Sequence, residues 1–196
     1  MSSFQILRDY LAQRAVISDA EFAAMVPAFT PRTLAAGEVL QRAGEAARWG
    51  AFVTRGCLRR YALDPEGGEH VIQFAPERWW LSDLESLASG GPSRFFIDAI
   101  ETSEVLLVTP VEHQRLIEEV PGFAAAFRSG LQASAVAKDR RIVDRLTLSA
   151  DERYEEFRHA YPSLVGRVPL KMLASYLGMT PETLSRIRRP PAGRRR

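Results

Sequence analysis

The sequence predicts an α+β protein in three parts: an N-terminal double-stranded β-helix (a jelly roll), a long helix, and a C-terminal helix-turn-helix. Between about residues 33 and 108, short apolar runs alternate with glycine-containing turns, a pattern typical of barrels and two-sheet jelly rolls. From residue 109 onward, the apolar residues recur at helical spacing. Positive charge is concentrated at the C-terminal end: residues 164–196 include eight basic residues and one acidic residue.

Length and composition narrow the class of protein. The 196 residues are 46% hydrophobic and 26% charged, as in ordinary soluble globular proteins. No stretch approaches the roughly twenty apolar residues of a membrane span, and the first residues lack the pattern of a signal peptide. We therefore expect a cytoplasmic protein without a membrane partner.

Patterns of catalytic and metal-binding chemistry are not found in the sequence. The histidines, His70, His113 and His159, lack the clustered spacing of a metal-binding jelly-roll enzyme. Cys57 is the only cysteine, which excludes an internal disulfide and a four-cysteine zinc site. We expect Cys57 to be a small apolar filler, with a redox sensor as the alternative. We predict no enzyme activity, no metal and no cofactor; a cupin-type jelly-roll enzyme is the alternative from another functional class.

Residues 1–120 are assigned to the β-rich domain. Ser18 as N-cap and Glu21 three residues later predict a short helix with a capping box. The strands are predicted within TLAAGEVLQRAGE, WGAFVTRGCLRRYAL, EHVIQFA and RFFIDAIETSEVLLV. Thr109, followed by a proline and then by Glu112, predicts the start of another helix with a capping box.

A long helix is predicted between Phe123 and Leu148, and residues 121–148 are assigned to it. An incomplete apolar stripe on so long a helix favours a homodimer, and the alternative is packing within its own domain. A following helix is predicted to begin at Ser149, again with a capping box. The stripe, which Lys138 interrupts, comprises Phe127, Leu131, Ser134 or Ala135, Ile142 and Leu146.

The segment from Leu170 to Arg189 carries the most specific pattern, and it lies in the last assigned domain, residues 149–196. Gly178 suits a turn that needs positive φ. Thr180 is the predicted N-cap of a second helix, and Pro181 occupies its first turn. A plain helical hairpin with a solvated charged face is the alternative. The apolar face of the first helix comprises Leu170, Leu173, Ala174 and Leu177, and that of the second comprises Leu184 and Ile187.

The outward face of the second helix predicts contact with double-stranded DNA. Arginine can donate two hydrogen bonds to guanine, and glutamate can accept one from cytosine. The helix N-terminus suits a phosphate. The basic end of the chain also favours a polyanion partner, with a solubilising tail as the alternative for Arg194, Arg195 and Arg196. The residues predicted to contact DNA are Lys171, Thr180, Pro181, Glu182, Thr183, Ser185, Arg186 and Arg189.

On these residues the chain resembles the Crp–Fnr family of bacterial transcription regulators. PETLSRIRR is similar to the family's recognition helices, and RVPLKMLASYLGMTPETLSRIRR after an ERY-containing helix is similar to one of its branches. The resemblance covers nearly the whole chain. It implies a cyclic-nucleotide-binding-type β-roll that acts as a sensor, a dimer helix, and a winged helix-turn-helix in which Glu182 and Arg186 contact bases. Pro181 replaces a contacting arginine of many relatives, and RPPAGRRR is too short for a full wing, so we expect a curtailed winged helix. RNA polymerase and a small-molecule effector are further candidate partners.

The resemblance also places a phosphate-binding cassette in WWLSDLESLASGGPSRFFIDAIE. Nucleotide-binding relatives carry Gly-Glu and, about ten residues later, an arginine that neutralises the phosphate and a small hydroxyl residue. Here Asp83 is shorter than glutamate and Arg94 is offset along the chain. This degenerate cassette predicts no ordinary response to cAMP, and a regulator without any effector is the alternative. The candidate effector pocket comprises Trp80, Ser82, Asp83, Ser93, Arg94 and Phe95.

Overall fold

A computed structural model describes residues 1–189 of the chain. Its strands are β1 (Phe29–Leu34), β2 (Val39–Gln41), β3 (Gly50–Arg55), β4 (Leu58–Leu63), β5 (Glu69–Ala75), β6 (Trp80–Leu81), β7 (Phe96–Ala99) and β8 (Ser103–Val108). Its helices are α1 (Ser3–Ala12), α2 (Asp19–Met25), α3 (Leu84–Ser89), α4 (Pro110–Glu119), α5 (Pro121–Thr147), α6 (Ala150–Ala160), α7 (Leu170–Leu177) and α8 (Pro181–Arg188). Among the described helices, none has both the length and the apolar character needed to cross a membrane.

The starts of the helices follow from local side-chain chemistry. Ser18 and Ser149 each form the predicted capping box, at the N-termini of α2 and α6. At α4 the prediction is half right: Thr109 accepts a hydrogen bond from the backbone N–H of Glu112 at 3.2 Å. The Glu112 carboxylate accepts instead from Arg115, one turn further on, at 2.7 Å. A charge-assisted bond to an arginine at this helical spacing outcompetes a bond to a backbone N–H.

The strands form two antiparallel four-stranded sheets, in the orders β1-β8-β3-β6 and β2-β7-β4-β5. The predicted two-sheet jelly roll is therefore confirmed. Side chains from both sheets meet between them in an apolar core that includes Val53, Leu58, Ile97 and Leu107. This arrangement closes the β-roll around its own apolar residues.

The outer face of the first sheet is buried under the helices α1, α4 and α5. Phe52 and Leu106 on the sheet pack with Leu7, Leu116 and Phe123 on these helices, and all five are almost fully buried. Because both faces of β3 and β8 are covered, their sequences are continuously apolar rather than alternating.

The outer face of the second sheet is buried under the C-terminal helices. Phe74 of β5 packs against Tyr176 of α7, with ring centroids 5.1 Å apart. Ser175 of α7 accepts a hydrogen bond from the Val71 N–H at 2.9 Å and donates one to the Glu69 carbonyl at 2.7 Å. The C-terminal helices therefore share a core with the β-roll, and α7 satisfies backbone groups on the edge strand β5.

Two arginines strengthen this attachment. Arg167 donates to Glu77 at 2.8 Å and also to Glu101, so it joins the segment before α7 to two loops of the β-roll. Arg141 of α5 donates to the carbonyl of Ile72 on β5. The position of the C-terminal helices is thus set by polar contacts as well as by apolar burial.

The long helix α5 has two different halves. Its first turns, with Phe123 and Ala126, are buried against the β-roll and α1. Its second half is exposed along an apolar stripe: Val136, Ile142 and Leu146 are 68%, 57% and 81% exposed. The described residues of this chain therefore leave these apolar side chains largely uncovered.

Candidate functional site

Helices α7 and α8 form the helix-turn-helix that the sequence predicted. Gly178 ends α7 in the left-handed region, at φ 67° and ψ 44°, where a side chain would be strained. Thr180 then caps α8 by accepting the N–H of Thr183 at 3.2 Å. Ala174 and Leu184 are completely buried in the core shared by the two helices. The small alanine and the glycine turn let the helices cross closely.

The outward face of α8 is polar, basic and open. Glu182, Arg186 and Arg189 are exposed, while Pro181 and Ser185 are half-buried beside them. These five residues line one shallow depression together with Leu170. Within residues 1–189, Arg186, Arg189 and Glu182 form no salt bridge. Five of the predicted contact residues therefore share one surface, with their charged groups available to a ligand.

The other predicted contact residues lie around this depression. Lys171 and Thr180 are exposed, and Thr183 is half-buried. The Thr180 hydroxyl is already engaged as the cap of α8, so a phosphate would meet the helix N-terminus rather than this side chain. Arg167 is one of the eight basic residues of segment 164–196, but its side chain bonds to Glu77 and Glu101 of the β-roll. Arg194, Arg195 and Arg196 lie outside the described residues.

The cassette residues are brought together, but they bond to one another. The Ser93 hydroxyl donates to the Asp83 carboxylate at 2.8 Å, and both side chains are buried. Asp83 also caps α3 through the Ser86 N–H. Arg94, which the sequence placed in the candidate effector pocket, is exposed, and Phe95 is half-buried. The carboxylate and hydroxyl that would hold a ribose and a phosphate are thus engaged within the protein.

An arginine from β4 lies beside the cassette. Arg60 is 8% exposed, and it donates to the carbonyl of Ser82 at 2.8 Å. Its guanidinium lies 4.8 Å from the centre of the Phe95 ring. Its Nε is buried without a hydrogen-bond partner among the described residues. Burial in this apolar setting lowers the pKa of Arg60.

The remaining candidate groups are dispersed. Cys57 is completely buried, and burial raises the pKa of its thiol to about 12, which favours the apolar filler over the redox sensor. His70 is exposed and bonded to Asp64 at 2.7 Å, whereas His113 is half-buried against Phe127. No group of three or more His, Cys, Asp or Glu residues that could hold a metal ion is found in residues 1–189.

Comparison with known proteins identifies the fold. No protein-family model matches the chain, and no curated protein matches it in sequence. FixK2 from Bradyrhizobium japonicum matches with a TM-score of 0.70 at 20% identity, over 81% of this chain and 82% of that one. CLP, a c-di-GMP-responsive global regulator from Xanthomonas campestris, matches with a TM-score of 0.71 at 14% identity, over 87% and 89%. A transcriptional regulator of the Crp/Fnr family from Eubacterium rectale matches with a TM-score of 0.67 at 15% identity, over 87% and 82%.

The chain has the Crp/Fnr regulator fold. The helix-turn-helix and the long helix of this Crp/Fnr fold were predictable from the sequence, but the residues that connect its parts were not. Ser175 and Tyr176 looked like ordinary helix residues, since nothing local marks their contact with β5. Arg60 did carry a signal: adjacent arginines in the otherwise apolar strand LRRYAL indicate buried charge that needs a partner.

Proposed function

We propose that the protein is a sequence-specific DNA-binding transcription regulator of Crp–Fnr type, and not an enzyme. In this proposal residues 1–120 are a sensor domain, residues 121–148 a dimer helix, and residues 149–196 the DNA-binding domain. The observation that carries the proposal is the exposed face of α8, where Glu182, Arg186 and Arg189 stand on a rigid helix-turn-helix with no salt bridge to another described residue. Such a face fits the major groove, where arginine and glutamate side chains recognise base edges.

The proposed active form is a homodimer. Ile142 and Leu146 lie at successive positions of an apolar seam on α5, and Val136 and Val143 extend it. Pairing this stripe with the same stripe of a second copy would bury it as in a coiled coil. A two-fold dimer would present its two α8 helices to successive major grooves, about 34 Å apart, on a pseudo-palindromic site. RNA polymerase is a further proposed partner.

Sequence-specific binding is tested by selecting bound sequences from a random DNA pool and measuring affinity for the selected and for unselected DNA. We expect Arg186→Ala to reduce the discrimination between the two by roughly 1–3 kcal/mol per site, because a bidentate base contact is lost. Arg128→Ala removes the same charge from α5, away from the helix-turn-helix, and is the matched control.

Two outcomes would contradict the proposal. An equal loss of affinity on both DNAs would mean that Arg186 contacts phosphate and not bases. Equal binding by Arg186→Ala, Arg128→Ala and the parent protein would remove α8 from the DNA interface. The alternative function, a regulator without a small effector, is favoured by the bond between Asp83 and Ser93; native mass spectrometry of freshly purified protein distinguishes the two.

A further inference from the structure

A small crevice lies between the second half of α5, the helix α6 and the end of α7, and we refer to it as the three-helix crevice. Its volume is about 90 Å³, and none of the described residues that line it belongs to the β-roll. Its lining includes four arginines and two acidic residues, so the crevice carries an excess of positive charge. These charged residues are Arg140, Arg141, Asp144, Arg145, Arg153 and Glu156.

Two of the four arginines have partners. Arg140 forms salt bridges with Glu156 and, at 3.9 Å, with Asp144, so one arginine serves both acidic residues of the lining. Arg141 donates to a backbone carbonyl of β5, and its guanidinium lies 4.7 Å from the centre of the Tyr176 ring. The acidic groups of the crevice are therefore already paired, and they leave the other two arginines without a carboxylate.

The remaining two arginines have donors to spare. Arg153 donates through Nη1 to the carbonyl of Leu148 at 2.8 Å, but its Nε is buried without a hydrogen-bond partner among the described residues. Arg145 forms neither a hydrogen bond nor a salt bridge with any other described residue. A buried donor without a partner is unfavourable, and an anion beside it would remove that penalty.

The turn of the helix-turn-helix fixes the position of Arg145. A Cβ atom at Gly178 would lie 2.6 Å from Nη2 of Arg145, so the guanidinium occupies space that exists only because residue 178 has no side chain. Arg145 is also in the last turn of α5, where the helix dipole favours a cation. The dipole accounts for a positive charge at this place, but it leaves the five N–H donors of the guanidinium unbonded.

A tyrosine adds a neutral donor to the same crevice. Tyr161 lines it, and burial raises the pKa of this phenol, so the hydroxyl keeps its proton at neutral pH. Guanidinium and hydroxyl donors around a small cavity suit an oxyanion. The volume of the crevice is well below the roughly 300–1,000 Å³ of pockets that hold drug-sized ligands, which favours a small ion over a nucleotide.

We propose that the three-helix crevice binds a tetrahedral oxyanion with two negative charges, inorganic phosphate or sulfate, through Arg145 of α5 and Arg153 of α6. The two arginines lie on either side of the joint at Leu148, where the backbone between α5 and α6 is extended. A bound anion would therefore connect the long helix to the helices that carry the DNA-binding face. The proposal concerns the protein without DNA, so its failure would not bear on recognition of DNA by α8.

The test is a titration of the full chain, without DNA, with inorganic phosphate in slightly alkaline buffer whose ionic strength is held constant with sodium chloride. Calorimetry and the line width of the phosphorus NMR signal provide two independent measurements. We expect saturable binding of one phosphate per chain. Sulfate should displace phosphate, because it has the same shape and charge. cAMP should not displace it, because its phosphate carries a single charge and its nucleoside exceeds the crevice.

Variants locate the bound anion. Arg145→Met and Arg153→Met each remove a guanidinium, and each should weaken phosphate about tenfold or more, because charge-assisted hydrogen bonds are lost. Arg158→Met is the matched control on α6: Arg158 bonds to Glu155 at 3.0 Å and does not line the crevice, so phosphate should bind unchanged. Because Arg145 is exposed and bonded to no other described residue, its variant should fold even if Arg153→Met does not.

Each contrary result overturns the proposal. No saturable signal with phosphate by either method would mean that the crevice holds no such anion. Phosphate binding that survives Arg145→Met, or is lost in Arg158→Met, would place the anion elsewhere, and displacement by cAMP would indicate a larger ligand. If free phosphate does not bind, but Arg145→Met lowers the salt dependence of DNA affinity by about one phosphate contact, then the arginine contacts the DNA backbone instead.

Discussion

The attachment of α7 to the second sheet can be tested at a single hydroxyl, that of Ser175. This side chain accepts from the N–H of Val71 at 2.9 Å and donates to the carbonyl of Glu69 at 2.7 Å. Val71 is 3% exposed on the edge strand β5, so Ser175→Ala would leave a buried N–H without a partner. The penalty for one such group is about 1–3 kcal/mol. We expect the free energy of unfolding to fall by that amount.

Urea unfolding followed by circular dichroism measures this change, and hydrogen exchange locates it. The amide of Val71 should lose protection by more than that of Phe74, which lies on the same strand. Ser163→Ala is the matched control, because Ser163 is exposed and its hydroxyl has no hydrogen bond to another described residue. A Ser175→Ala variant within about 0.5 kcal/mol of this control, the usual range for surface substitutions, would refute the reasoning.

Four further predictions concern pH, the thiol, the dimer and salt. Burial holds the pKa of His113 below its ordinary value of 6.5, so below that pH the unfolded chain binds more protons. The free energy of unfolding should therefore decline from pH 7 toward pH 5, by at most about 1.4 kcal/mol per pH unit. Urea titrations of His113→Phe should show a smaller decline over this range. An unchanged decline in the variant would mean that His113 is not its cause. Cys57, with a pKa of about 12, should react with a disulfide reagent only after unfolding, and rapid reaction of the native protein would revive the redox sensor. Ile142→Asp and Leu146→Asp should shift sedimentation from dimer to monomer, whereas Val111→Asp, on an equally exposed site of α4, should not; a parent protein that sediments as a monomer would argue against the dimer. Affinity for DNA should fall steeply as salt rises, and affinity that stays flat would contradict phosphate contacts.

Local chemistry made much of this protein predictable. The helix starts at Ser18 and Ser149 depend on a hydroxyl and a glutamate three residues apart, and both capping boxes form. The turn at Gly178 and the cap at Thr180 depend on neighbouring residues in the same way. Such features need no information from distant parts of the chain, because the interacting groups are connected by a few backbone bonds.

The cassette could be predicted from the sequence only in part. Its departure from the family's cassette could be deduced from the residue types. That Asp83 and Ser93 bond to each other could not be deduced, because their hydroxyl and carboxylate meet only when the loop after α3 folds back. The same is true of Arg60, whose charge was visible in the strand while its surroundings were not.

The sequence by itself determined the jelly roll, the long helix and the helix-turn-helix, since each depends on periodicity and on caps that act within a short segment. Only the tertiary structure decided how these parts are joined. The contacts of Ser175 with β5, of Arg167 with Glu77, and of Arg60 with the Ser82 carbonyl connect residues that are distant in sequence. The energies of these contacts depend on burial and on the angle at which two elements meet. Neither can be deduced from the spacing of residues along one element. The helix-turn-helix with its exposed face can therefore be predicted from the sequence, while its attachment to the β-roll is seen only in the folded chain.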